Sequence, residues 1–132
     1  MPDQLSDQAK ALFDGKSYVT VATIQPDGSP QLSVVWAKTD GEDVLISTLE
    51  GRRKHLNLVK DPRVTLLLNP ADNPFAYVEV RGTASLDTEG GRELIEELSW
   101  KYNGKAYPEE PADAVRTVVR VTPRRVVERG LS

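Results

Sequence analysis

Two turn sequences, Pro26-Asp27-Gly28-Ser29 and Asp40-Gly41-Glu42-Asp43, cut the first part of the chain into short β-branched runs. Connections this tight join antiparallel strands, because a parallel pair needs a crossover of about a dozen residues or more. The spacing predicts a strand over 18–24, a returning strand over 31–39 and a third over 44–48. A helix over 6–14 precedes them, with Ser6 as its cap, Asp7 at the positive end of its dipole and Gly15 at its close.

Beyond Gly51 a helix is expected over 52–60, with Leu56 and Val59 on its apolar face and Asp61-Pro62 as its stop. The run 63–69 reads as a fully buried strand, and 70–74 as a loop. Tyr77-Val78-Glu79-Val80-Arg81 alternates with a period of two, and Gly82 marks a bulge or a close backbone approach. Thr88 is the expected cap of a helix to about 102 whose stripe is Leu94, Ile95, Leu98 and Tyr102, weakened by two glycines at its start. Strands over 116–121 and 125–128, separated by Pro123, complete the pattern. The expected architecture is mainly β: a six- to seven-stranded antiparallel barrel with peripheral helices. Residues 1–132 read as a single domain without repeat or linker.

Composition narrows the chemistry. The 132 residues contain no Cys and one His, His55, so disulfides, thiolate metal sites, iron–sulfur clusters and a cysteine nucleophile are excluded. Histidine-rich metal clusters and Ser-His-Asp networks are hard to build. A net charge of -3 argues against a nucleic-acid partner. Apolar runs such as Leu66-Leu67-Leu68 are far short of a membrane span, so no membrane partner is expected. The first residues lack the pattern of a signal or transit peptide, which predicts a cytoplasmic location.

The most informative local feature is Gly51-Arg52-Arg53-Lys54-His55. It places three fixed cations at the positive end of a helix dipole, where each is disfavoured by about 0.3–1 kcal/mol. A bound anion offsets that, since first-turn N–H groups and the cations can converge on one phosphate. The alternative is that the side chains splay into solvent. Ser47 and Thr48, just upstream, carry hydroxyls that can join such a site. Neither GxxxxGK[ST] nor GxGxxG is present.

His55 reads as a surface or phosphate-edge residue rather than a proton donor. Trp36 and Tyr77 are candidates for stacking on a ring or substrate, with core packing as the alternative. Tyr102 reads as core, while Trp100 and Tyr107 are candidates to line a pocket from a partner subunit. Glu79 and Arg81 pair either across a dimer or in solvent, and Glu109-Glu110 reads as solvent surface. No nucleophile with a general base stands out, so no catalytic residue is assigned.

The succession Thr23-Ile24-Gln25-Pro26-Asp27-Gly28-Ser29-Pro30-Gln31, then Val44-Leu45-Ile46-Ser47-Thr48, then Arg53-Lys54 with Asn57-Leu58 and Asp61-Pro62-Arg63-Val64 resembles the pyridoxamine 5'-phosphate oxidase-like FMN-binding split barrel. Val80-Arg81-Gly82-Thr83-Ala84 and Lys101-Tyr102-Asn103-Gly104-Lys105-Ala106-Tyr107-Pro108 extend the likeness. It is nearest to the branch of small reductases that use coenzyme F420, a deazaflavin. The resemblance implies a homodimer with cofactor sites at the subunit interface. It implies that the strand containing Gln31, Ser33, Val34, Val35 and Trp36 runs beside the ring, that Ser47, Thr48, Arg53 and Lys54 hold the phosphate with Arg52 joining them, and that Tyr77 is a further cofactor residue.

FMN oxidases of the family carry Lys where Ala37 stands and Gln where Tyr77 stands, so the resemblance favours F420, with FMN as the alternative. The implied activity is hydride transfer to a small-molecule acceptor such as an enone, quinone or tetrapyrrole. The alternatives are an FMN-dependent enzyme and a non-catalytic cofactor carrier.

Overall fold

The computed structural model describes residues 2–131, which form α1 (Asp7–Asp14), β1 (Val19–Ile24), β2 (Pro30–Val35), β3 (Ala37–Asp40), β4 (Asp43–Leu49), α2 (Arg53–Lys60), β5 (Arg63–Leu68), β6 (Tyr77–Asp87), α3 (Gly91–Asn103) and β7 (Arg116–Arg129). The strands make one antiparallel sheet in the order β2-β1-β5-β6-β7-β4-β3. Its two edges, β2 and β3, are consecutive in the chain and separated by Trp36 alone. The sheet therefore has to curl until its edges approach each other, and the result is a half-barrel with a seam at Trp36.

Alternation along each strand sends one set of side chains inward. Val19, Leu66, Val78, Val80, Val119 and Ile46 close on a common core, which Phe13 of α1 and Leu58 of α2 join. α3 lies outside the curl, where Leu94 and Leu98 pack on Leu45 with Trp36, Tyr102 and Val118 at the margin. At α1, Ser6 accepts from Ala9 N as the expected cap. At the first hairpin, Asp27 Oδ1 accepts from Ser29 N and Ser29 Oγ at 3.0 and 2.6 Å while Gly28 takes φ 87°.

Five local expectations change. The strand over 31–39 divides at Trp36, because β2 pairs with β1 and β3 with β4, and no straight strand serves both edges. The run 63–69 is not buried on both sides: Leu67 is 40% exposed, as one face of an antiparallel sheet permits. The packed side of α2 carries Asn57 and Leu58, whereas Leu56 and Val59 are exposed. The last two strands are one, β7, running through Pro123. This proline sits opposite Gly82 at a register shift between Arg81 and Gly82, where an N–H is not needed by the ladder. A side chain at Gly82 would come within 2.4 Å of Thr122 O, so the glycine serves both the bulge and the close approach.

Finally, α3 begins at Gly91 with Gly90 as its cap residue, rather than at Thr88. Gly91 has a steric reason: a Cβ there would lie 2.0 Å from the Arg116 carbonyl oxygen. The helix thus rests its first residue directly on the backbone of β7.

Candidate functional site

Where the sheet edges part, the seam widens into a cleft of about 260 Å³. Tyr18, Val34, Val35 and Trp36 form one wall, Ser47 of β4 and Arg116 of β7 another, and Ile95, Leu98 and Tyr107 form the roof. Arg52 and Lys54 enter from the start of α2. β2 is an edge strand hydrogen-bonded only to β1, so its opposite side offers backbone donors and acceptors to whatever lies beside it.

Lys54 is the electrostatic centre. Its Nζ donates to Ser33 Oγ at 3.0 Å. Burial first, then the charges of Arg52 and Arg116, hold its pKa below the ordinary lysine value. None of the ion pairs among the described residues involves Arg52, Arg53 or Lys54. Crowded, partly desolvated positive charge of this kind is lowered in free energy by an anion, which favours the protonated lysine and relieves the repulsion.

The other predicted site residues separate by position. Arg53 turns along its helix, its Nη1 at 3.5 Å from Asn57 Oδ1. Gln31 belongs to a polar network beneath α2: its Oε1 accepts from Thr23 Oγ1 at 2.9 Å, and Asn57 Nδ2 donates to Thr23 Oγ1 and Gln25 Oε1 at 3.0 and 3.1 Å. With Asn57 1% exposed, this network seats the helix that carries Lys54. Thr48 is one residue out of phase with Ser47 and faces the core at 1% exposure, opposite Thr117. Neither of these two hydroxyls has a partner among the described residues. Tyr77 starts β6 opposite Arg129 and does not reach the cleft within one chain. His55 accepts from Gly51 N through Nδ1 at 3.1 Å and so ties down the entry to α2.

The aromatic residues are layered. Trp36 stacks on Tyr102 with ring centroids 5.3 Å apart, and Tyr107 meets Trp36 edge-on at 6.4 Å. Tyr102 Oη accepts from Ala37 N at 3.1 Å and donates to Ser17 O at 2.7 Å, which fixes the seam residue from behind. Tyr107 lines the cleft of its own chain rather than waiting for a partner subunit. Trp100 stays outside, 57% exposed, with its indole N–H donating to Glu96. Glu79 pairs with Arg81 on its own strand at 3.0 Å.

Glu110 corrects the reading of Glu109-Glu110 as solvent surface. Its carboxylate lies 3.1 Å from both Arg92 Nη1 and Arg116 Nε; burial pushes its pKa up, but Arg116 and then Arg92 together outweigh that and hold it below the ordinary value. Arg116, Glu110, Tyr18, Ile95 and Leu98 were not among the expected site residues. Arg116 opens a strand whose alternation indicates its face, but its depth depends on how the preceding loop folds back to bring Glu110 and Tyr107 onto it, which no periodicity signals.

A family model described as pyridoxamine 5'-phosphate oxidase matches residues 5–130. The chain belongs to the pyridoxamine 5'-phosphate oxidase family. Among solved structures, one described as an F420 reductase is 30% identical, covers 93% of this chain and 98% of its own, and superposes with a TM-score of 0.82. A conserved hypothetical protein from Mycobacterium tuberculosis is 25% identical over 97% of this chain and 87% of its own, with a TM-score of 0.74. The General Stress Protein 26 from Bacillus anthracis, 17% identical over 96% and 94% of the two chains with a TM-score of 0.73, shows the same fold. This pyridoxamine 5'-phosphate oxidase-like barrel is thus of an oxidoreductase superfamily that binds flavins or deazaflavins. No helix among the described residues is long and apolar enough to cross a membrane.

Proposed function

We propose that this chain is a coenzyme F420-dependent oxidoreductase that transfers a hydride between the deazaflavin and a conjugated small molecule of the enone, quinone or tetrapyrrole type. The observation that carries it is the desolvated Lys54, without a carboxylate partner, set between Arg52 and Arg116 at the end of an open strand edge. The residues fit a phosphorylated ring cofactor. Ser47, Lys54 and Arg52 hold its anionic end, with Arg53 adding charge from the same turn. The free backbone of Val34, Val35 and Trp36 meets the polar edge of the ring.

When bound, the deazaflavin supplies the hydride at C5 of its ring. The chain positions and desolvates. Trp36, braced by Tyr102, sets the depth of the cleft, and Tyr107 with Ile95 and Leu98 keeps water from its roof. No side chain is assigned proton transfer. The similarity to an F420 reductase at 30% identity supports the deazaflavin over FMN.

The active form in this reading is a cytoplasmic homodimer. The dimer is supported by the outer face of β2-β1-β5, where Leu32, Val34 and Leu67 are 62%, 65% and 40% exposed in a contiguous register. A side-by-side titration of the apo-protein with F420 and FMN, read by tryptophan fluorescence, tests the cofactor. Tighter binding of F420 is expected, and preference for FMN or binding of neither would overturn the assignment. Oxidation of the reduced cofactor that saturates with an added acceptor separates an enzyme from a carrier.

A further inference from the structure

Arg116 is 8% exposed, and most of its guanidinium is already engaged. Nε donates to both carboxylate oxygens of Glu110 at 3.1 and 3.2 Å, and Nη2 donates to Tyr107 Oη at 2.8 Å. The Tyr107 ring lies under the guanidinium, 5.0 Å from its carbon. Glu110 is braced in turn by Arg92, which also pairs with Glu96 at 3.4 Å. From below, Gly91 brings the first turn of α3 onto the Arg116 backbone at a distance no other residue permits. The group is held from three sides, by Glu110 and Tyr107 of the loop just before β7 and by the start of α3 some twenty-five residues upstream.

Nη1 makes the longest of the guanidinium's bonds, donating to Ser47 Oγ at 3.4 Å on the cleft side, and the Arg116 charge is close enough to bear on Lys54. Glu96 and Glu110 offset the charges of Arg92 and Arg116, so the surplus positive charge of the cleft is that of Arg52 and Lys54. Arg116 adds orientation. Its plane is fixed before any ligand arrives, so little side-chain entropy is lost when it donates to a tetrahedral oxyanion. A loop tether would need only the Glu110 and Tyr107 bonds, not a donor left pointing at the Ser47 hydroxyl.

We infer that Arg116 is a further anion-binding residue of the cleft, presenting Nη1 beside Ser47 Oγ to a phosphoryl oxygen, with Glu110 and Tyr107 fixing its orientation. The identity of the phosphorylated compound rests on the function proposed above, but the role of Arg116 does not. The test is calorimetric titration of wild type, Arg116→Gln and Arg116→Lys with inorganic pyrophosphate, with F420, with FMN and with riboflavin, which has the ring without the phosphate. Arg116→Gln is expected to raise the dissociation constants of the phosphorylated ligands that bind wild type at least tenfold and to leave riboflavin unchanged. Arg116→Lys, which keeps the charge near Glu110, is expected to fall between and is the variant read if Arg116→Gln does not fold. Unchanged pyrophosphate affinity in a folded variant, or equal loss for FMN and riboflavin, would overturn the inference. Arg116-dependent pyrophosphate binding without F420 or FMN binding would remove the cofactor proposal and keep this one. Tight F420 binding that ignores Arg116 would do the reverse, and a wild type that binds no phosphorylated probe would overturn both.

Discussion

At the residue scale the cations of the Gly51–Lys54 turn are not equivalent. Lys54 and Arg52 line the cleft, whereas Arg53 lies against Asn57. Lys54→Ala should therefore weaken F420 or FMN binding by about 1.5–3 kcal/mol, roughly tenfold to a hundredfold, and Arg53→Ala by less. Titration of the two variants under identical buffer checks the order. The downward shift of Lys54 also sets a pH dependence. An anion binds its protonated form, so affinity should fall as pH rises through a value below the ordinary 10.5, and Lys54→Arg should carry the affinity through that range unchanged.

A second lysine gives a stability signature. Burial lowers Lys101 to about 8, against upward contributions from Asp14 and Glu97, while its Nζ donates to the Phe13 and Ala37 carbonyl oxygens. Its folded value is below the unfolded one, so between about 8 and 10.5 the unfolded chain holds more protons and this group makes stability rise with pH. Denaturant midpoints measured across that window should climb less steeply in Lys101→Met than in wild type.

At the element scale the decisive contacts are those in which backbone meets backbone. Gly91 lets α3 sit on β7 at Arg116, and Gly82 lets the bulged β6 pass Thr122. In Gly91→Ala the new methyl cannot be absorbed by a side-chain rotation, because the obstructing atoms are the Arg116 carbonyl group and Thr117 N. That variant should lose about 1–3 kcal/mol of stability, as overpacked sites do. It should also lose pyrophosphate affinity, since Arg116 moves with the strand. Thermal melts alongside calorimetry would show both losses together. A loss of stability alone would separate the helix seat from the cleft. The helix α2 follows the opposite logic: its seat is polar, made by Asn57 with Thr23 and Gln25, and its exposed Leu56 and Val59 contribute little to it.

At the scale of the whole molecule, the outer face of β2-β1-β5 exposes Leu32, Val34 and Leu67, and the proposed dimer would bury it. Light scattering should give a mass of about twice the 14.6 kDa chain, and Val34→Asp should shift it toward the monomer. A wild-type monomer at micromolar concentration would remove the interfacial site. Much of this architecture was readable in advance. The turns at Asp27-Gly28 and Gly41, the period of two in β6 and the absence of room for crossovers dictate antiparallel strands, because those signals act over a few residues. The cationic turn was legible for the same reason. The division of one expected strand at Trp36 was not, since it follows from the closing of a sheet whose edges are neighbours in the chain. Nor was the exposure of Leu56, because Asn57 took the buried side through bonds to residues more than thirty positions away. Local pattern thus determined the elements and the charge of the site. Only the tertiary structure decided that Ser47 and not Thr48 faces that charge, that Gln31 serves the seat of a helix, and that Arg116 is held there by Glu110. Which face, which depth and which neighbour are properties of the curled sheet, not of the residues beside them in the chain.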